Sequence, residues 1–234
     1  MHPTLLLFDI DATLLKTGGA GMTAMANVAT RLFAKGDAPF RWDGINSGGS
    51  LDPVIFAEAA KLNGIENNHH NHSRFHDQYI DELEKQIALH TFEVLPGVHD
   101  LIAHLRHRER TRRDIVLGLL TGNYTKAVPV KFKHARLDQA WFSITAFGDE
   151  APSRPDLVAL AMTKFEAKHG HRPDPKRIIV IGDTPRDVHC AKAHGCVAFT
   201  VATGHHEREE LLAHGADHCV ENLADPSPLL RLLD

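Results

Sequence analysis

The stretch "TLLLFDIDAT", residues 4–13, decides the fold. Five residues, apolar but for Thr4, run continuously into two carboxylates, Asp9 and Asp11, placed two apart. A short apolar run bounded by polar residues is the pattern of a strand buried on both faces, as strands of a parallel sheet are. Extended backbone alternates its side chains, so Asp9 and Asp11 share a side and Ile10 faces the other way. Like charges that close repel, so they face water or something compensates them.

The same pattern recurs along the chain. "DIVLGLLT" (114–121) and "RIIVIGD" (177–183) repeat it, with weaker versions at "FSITAF" (142–147) and "VAFTVAT" (197–203). Amphipathic helical patterns lie between them at residues 97–108, 155–168, 185–194 and 207–214. Strand alternating with helix predicts an α/β fold, a doubly wound, Rossmann-like parallel sheet with right-handed crossovers. One segment breaks the rhythm. From 16 to 91 the chain reads as helices without a buried strand, over 21–35, 50–64 and 72–89, with Ser50 as an N-cap, Pro53 in the first turn and Gly64 as a stop. The expected organisation is therefore a core domain of residues 1–15 and 92–234 with an inserted α-helical cap domain of residues 16–91. The chain returns to the core at "VLPGV" (94–98), Gly18, Gly19 and Gly21 fit the joint where the insertion leaves it, and Phe40 and Trp42 are expected to pack in the insertion's own core.

Bulk properties narrow the function. The 234 residues are 43% hydrophobic and 24% charged, with a formal net charge of −4, ordinary for a globular protein. No basic stripe with interleaved aromatics points to nucleic acid. The apolar runs are too short to span a bilayer, and Asp9 interrupts the first before it can act as a signal segment, so no membrane partner and a cytoplasmic location are expected. Cys190, Cys196 and Cys219 are odd in number and widely spaced, which suits reduced core thiols. "NHHNH" (68–72) reads as a solvated polar loop, and "TGHH" (203–206) as loop residues near a helix start that also lie close to a strand end.

In an open parallel sheet ligands bind at the carboxyl ends of the strands, and three ends carry chemistry. The first gives Asp9-Ile10-Asp11-Ala12-Thr13, the second Thr121-Gly122-Asn123, the third Gly182-Asp183-Thr184 with Asp187 one turn later. Four carboxylates converging on one crevice need a cation, and hard oxygen donors point to Mg²⁺. Thr121, Gly122 and a helix expected to begin near Tyr124 form an anion site. Together they describe phosphoryl transfer: an Asp nucleophile, a second carboxylate to handle protons, Mg²⁺, and donors for phosphoryl oxygens. Taken singly, each motif is as well explained by a turn or a helix cap.

These residues resemble the haloacid dehalogenase-like hydrolase superfamily, whose motifs are DxDx[TV], a strand ending in Thr or Ser, and GDxxxD or a close variant. The helical insertion between the first two motifs is similar to that of the phosphoglycolate phosphatase-like and β-phosphoglucomutase-like branch. The resemblance implies that Asp9 is the nucleophile that becomes a phosphoaspartate and that Asp11 is the general acid, then base. It implies that Mg²⁺ is held by Asp9, Asp183 and the backbone carbonyl of Asp11, with Asp187 holding the metal's waters or a neighbouring cation. Thr121, Gly122 and Asn123 would hold phosphoryl oxygens. Two departures stand out. Ala12 replaces a common Gly, which is tolerated unless its φ is positive, and the third motif, usually Lys-Pro, reads "SRPD", making Arg154 the candidate for catalysis and phosphate binding, with Lys131 and Lys133 in reserve.

An acid at Asp11 favours a phosphate ester over an organic halide, because an alkoxide leaving group needs a proton. The expected function is a Mg²⁺-dependent phosphatase acting on a small phosphorylated metabolite, phosphoglycolate being the first to try, as a monomer or homodimer. A phosphomutase of the same fold and a non-catalytic phosphate-binding protein are the alternatives.

Overall fold

The computed structural model describes residues 3–34 and 40–234. In chain order the elements are β1 (Thr4–Phe8), β2 (Leu15–Lys16), α1 (Ala20–Phe33), α2 (Asp52–Leu62), α3 (His69–Leu89), β3 (Glu93–Val94), α4 (Val98–Thr111), β4 (Ile115–Leu120), α5 (Ala127–Ala135), β5 (Ile144–Ala146), α6 (Arg154–His169), β6 (Ile178–Gly182), α7 (Pro185–Ala193), β7 (Val197–Val201), α8 (Arg208–Ala213), β8 (His218–Val220) and α9 (Ser227–Leu230). Six strands form a parallel sheet in the order β5-β4-β1-β6-β7-β8.

The sheet is buried on both faces, and β1 displays why its run is continuous. Leu5 and Leu7 belong to a cluster with Leu157, Phe165 and Val188 of α6 and α7, while Leu6 and Phe8 join Leu101, Leu105 and Phe132 of α4 and α5. Every residue of β1 is buried, so an alternating pattern would have put polar groups into apolar surroundings. β1 lies centrally, between β4 and β6, and the order of the strands reverses there, which opens a crevice at its carboxyl end.

Among its described residues the stretch between β2 and β3 carries helices and no strand, and α1–α3 bury a separate cluster that includes Met25, Val28, Phe56, Phe75, Tyr79 and Leu83. Phe40 and Trp42 pack against it with ring centroids 5.5 Å apart, as expected. β2 and β3 pair antiparallel, Leu15 with Val94 and Lys16 with Glu93, so both chain crossings between core and helices lie side by side. No helix among the described residues is long and apolar enough to cross a membrane.

Several expected details are corrected. The N-cap of α2 is Leu51, not Ser50, because Ser50 is held in a turn by its N–H to Ser47 and the Asp52 N–H donates to the Gly122 carbonyl. Residues 68–72 are not a loop. Asn68 caps α3 by accepting from the Asn71 N–H at 2.9 Å, and His72 stacks on Phe56 and pairs with the Tyr124 hydroxyl at 2.8 Å, so the apolar stripe extends into the histidines. The helix expected near Tyr124 begins at Ala127, since the Tyr124 and Thr125 N–H groups are captured by Asp52 and Asp149 instead. β8 escaped the sequence reading as a three-residue edge strand. The expected helix end at Lys35 and the first two residues of the expected core lie outside the described residues.

Candidate active site

The three chemistry-bearing strand ends meet in one cleft of about 580 Å³. Asp9, Asp11, Thr121, Gly122, Asn123, Arg154 and Asp183 all line it. Asp9 leaves β1 buried, its N–H tied to the Ile181 carbonyl of β6, so the two motifs are locked at one level. Asp183 is equally buried and accepts from Thr13 Oγ1 at 3.3 Å. Thr13, the last residue of the first motif, thus touches the GDxxxD motif directly. Ala12 between them has φ 55°, and its carbonyl accepts from the Thr203 hydroxyl. The positive φ that would make a methyl group costly is therefore present, a strain of about 1 kcal/mol relative to glycine.

Asp9, Asp183 and Asp187 each place a carboxylate oxygen within 4.8 Å of the others. Their buried cationic partner is Arg154, at the start of α6. Its Nη2 lies 3.1 Å from Asp9 Oδ2 and 2.5 Å from Asp187 Oδ1, Nε donates to Asp187 at 3.1 Å, and Nη1 reaches the Gly49 carbonyl at 3.0 Å. Arg154 therefore binds the acids rather than standing open for a phosphoryl group. The other oxygen of Asp187 accepts the N–H and hydroxyl of Thr184 in a capping box at the start of α7, so the capping and charge-holding readings of this residue both hold.

Burial and crowding disturb these carboxyls. Desolvation pushes Asp183 up to about 8, helped by Asp187 and Asp9 and opposed by Arg154. Desolvation raises Asp9 to about 6 against the pull of Arg154. Arg154 is held firmly charged, because Asp187 and Asp9 outweigh the cost of its own burial. A site with excess buried negative charge fits a divalent cation, and Asp9 and Asp183 are the carboxylates that would hold it, since both Asp187 oxygens are already engaged.

A fifth acid went unnoticed in the sequence. Asp52, the first residue of α2, is buried and lines the cleft, one oxygen accepting from the Tyr124 N–H at 2.9 Å. Burial raises it to about 7, with Lys131 pulling the other way. Its signal was an acid beside a proline at a helix start, which capping alone explained. Lys131 is 3% exposed and pairs with Asp11, whereas Lys133 pairs with Glu84 on the surface, far from any site role.

Glycine shapes the cleft twice. A Cβ on Gly122 would stand 2.0 Å from the Ser50 carbonyl, so only glycine lets the second strand end meet the α2 entry loop. A Cβ on Gly204 would stand 1.9 Å from Asp183 Oδ2, which explains why "TGHH" runs beside the acids and why His205 and His206 line the cleft rim. The three cysteines are free and buried, as expected.

Raised carboxyls set a pH dependence. Asp9, Asp52 and Asp183 bind protons more tightly folded than unfolded, so their contribution is full below about pH 4 and is lost as pH rises through 6 to 8. Thermal melting of metal-free protein is expected to fall over that window, and Mg²⁺ is expected to restore it most at pH 8. A melting temperature flat from pH 5 to 8 in EDTA contradicts this.

Comparison with known proteins agrees with the geometry. A family model described as HAD-hydrolase-like matches residues 153–226. The chain is 28% identical to a phosphoglycolate phosphatase of Synechococcus elongatus over 154 residues, covering 65% of this chain and 66% of that protein. A second phosphoglycolate phosphatase, from Chromobacterium violaceum, is also 28% identical, over 65% of this chain and 63% of its own. The matched stretch thus spans just under two thirds of these relatives. Among solved structures, a hydrolase from Pseudomonas syringae superposes with a TM-score of 0.72 at 18% identity, over 97% of this chain and 98% of that one. CbbY from Rhodobacter sphaeroides, in complex with phosphate, gives 0.70 at 20% identity over 96% of each chain. Motifs, strand order and relatives thus agree in making the chain similar to haloacid dehalogenase-like hydrolases, in sequence over residues 153–226 and in fold over nearly its whole length.

Proposed function

We propose that this protein is a phosphatase that hydrolyses small phosphate monoesters through a phosphoaspartate on Asp9. The observation that carries the reading is Asp9 itself: a carboxylate 5% exposed at the end of the central strand, lining the cleft beside Asp11, Thr121 and Asp183. Similarity to phosphoglycolate phosphatases supports the same reaction class and makes phosphoglycolate a substrate to test.

In this reading Asp9 attacks phosphorus, the ester P–O bond breaks, and Asp11 gives its proton to the departing oxygen. Asp11 then takes a proton from water as that water attacks the phosphoaspartate, releasing inorganic phosphate and restoring Asp9. Thr121, buried at the end of β4, and the Gly122–Asn123 backbone face the phosphoryl oxygens. Asp9, Asp183 and the Asp11 carbonyl would hold Mg²⁺, which when bound would supply positive charge to offset a dianionic ester. Arg154 holds Asp9 and Asp187 in place, and Asp187 anchors Arg154.

The same reading makes residues 16–91 a cap domain on a core of residues 1–15 and 92–234. Its support is the separate apolar cluster of α1–α3 and the paired crossings β2 and β3. Three buried unpaired thiols suit a reducing compartment such as the cytoplasm.

The test is phosphate release from phosphoglycolate, glycerol phosphate, hexose phosphates and p-nitrophenyl phosphate, with Mg²⁺ or EDTA. Metal-dependent release from at least one ester is expected. No release from any of them by folded protein with Mg²⁺ overturns the reading.

A further inference from the structure

The side chain of Asp11 is 41% exposed and would rotate freely were it not gripped from α5 and from the loop that follows β4. Lys131 Nζ lies 2.7 and 2.6 Å from its two oxygens and 2.8 Å from Asn123 Oδ1, while Asn123 Nδ2 donates to Asp11 Oδ2 at 2.9 Å. The three residues close a triangle between the ends of β1 and β4. Burying an ammonium is costly unless each of its donors is met, and here all three are. With its donors engaged by Asp11 and Asn123, Lys131 has none left for a phosphoryl oxygen. Arg154 engages a different pair of acids, Asp9 and Asp187.

Lys131 lies on the apolar stripe of α5 with Ala127, Val128, Phe132 and Ala135. Lysine on that stripe serves packing poorly, so its role is in the contact it makes. Asn123 serves both partners at once, accepting from the ammonium and donating to the carboxylate. An aspartate side chain has two rotatable bonds, and contacts to both of its oxygens fix both.

We propose that Lys131 and Asn123 are positioning residues whose side chains hold the Asp11 carboxyl where it serves the leaving group, and that those side chains do not grip the phosphoryl group. The inference rests on the reading of Asp11 as the proton donor of a phosphatase. It makes a demand that a merely structural lysine does not: the loss on removing Lys131 depends on how much the leaving group needs a proton. An alkoxide needs one, whereas p-nitrophenolate leaves without one.

The experiment compares kcat and KM for wild type, Lys131→Met, Lys131→Arg and Asp11→Asn on p-nitrophenyl phosphate and on the best alkyl phosphate of the panel, with Mg²⁺ present. Lys131→Met is expected to lose about 10²-fold in kcat/KM on the alkyl ester and less than about 5-fold on the aryl ester, the pattern of lost proton delivery, which Asp11→Asn should share. The comparison is made in kcat/KM because that quantity ends at transfer to Asp9, before the hydrolysis that uses Asp11 equally for both esters. Lys131→Arg keeps the charge but not the compact ammonium, so it should fall between, with the same preference for the aryl ester. It carries the comparison if circular dichroism finds Lys131→Met unfolded. Equal losses on both esters, or a loss confined to KM, overturn the inference while leaving the phosphatase reading intact. A wild type that releases phosphate from neither ester overturns both.

Discussion

Asp9→Asn should bring phosphate release to background and at the same time make the metal-free protein more stable. The first half follows from the amide's lack of nucleophilicity: no other described carboxylate in the cleft is tied at the end of β1 with Arg154 at 3.1 Å. The second half follows from the environment. Desolvation raises Asp9 to about 6, and Asp187 and Asp11 add repulsion, so at pH 8 its ionised form is carried at a cost that the pull of Arg154 does not cancel. An isosteric amide removes that cost, on the order of 1–3 kcal/mol, and leaves Arg154 its bonds to Asp187 and Gly49. Differential scanning calorimetry in EDTA at pH 8 checks the sign. A lower melting temperature for Asp9→Asn would mean that Arg154 needs Asp9 more than Asp9 suffers from burial. Residual turnover above background would sink Asp9 as the nucleophile.

Arg154→Met carries the second large effect, in the opposite direction on stability. It strips Asp9 and Asp187 of their shared buried cation, and breaking a buried pair by removing one partner costs about 3–5 kcal/mol. Turnover should fall by about 10²-fold or more, since Asp9 and Asp187 lose their fixed donor. Mg²⁺ should recover part of the stability, because it brings positive charge to the same acids, but little of the turnover, because it cannot replace the fork that reaches Asp9, Asp187 and Gly49 together. Arg154→Lys should lie between, with one ammonium in place of three directed contacts. Urea unfolding and kcat, each with and without Mg²⁺, measure both effects. If Arg154→Met unfolds and turns over like wild type, the third motif's work belongs elsewhere.

The strands were legible because burial on both faces leaves nothing for a polar residue to do: residues 4–8, 115–120 and 178–182 read as apolar runs and are strands. The acids that end them were legible for the converse reason, since Asp9, Asp11 and Asp183 follow those runs without interruption and lie in the cleft. What escaped depends on contacts distant in sequence. Asp52 looked like a helix-start acid, and nothing local tells that its oxygen meets the Tyr124 N–H, 72 residues away. Lys131 stood only in reserve for the third motif, and nothing local tells that its partner is Asp11, 120 residues earlier. The histidines at 69–72 concealed a helix start because an imidazole can be polar in composition and still stack, as His72 does on Phe56.

The antiparallel pairing of Leu15 with Val94 and Lys16 with Glu93 has a topological consequence. Strand partners lie about 5 Å apart, a gap that a two-residue hairpin turn bridges. The segment from Thr17 to Phe92 therefore leaves and rejoins the sheet at one point, so its excision would ask little of Lys16 and Glu93, although the Gly122 carbonyl and the Tyr124 N–H would lose Asp52. Such a junction lets the sheet keep its own strand pairing whatever chain is inserted there. The cost of a bare sheet would fall on Tyr124 and Ala127, which bury their side chains in the cluster of α1–α3 and would be left facing water.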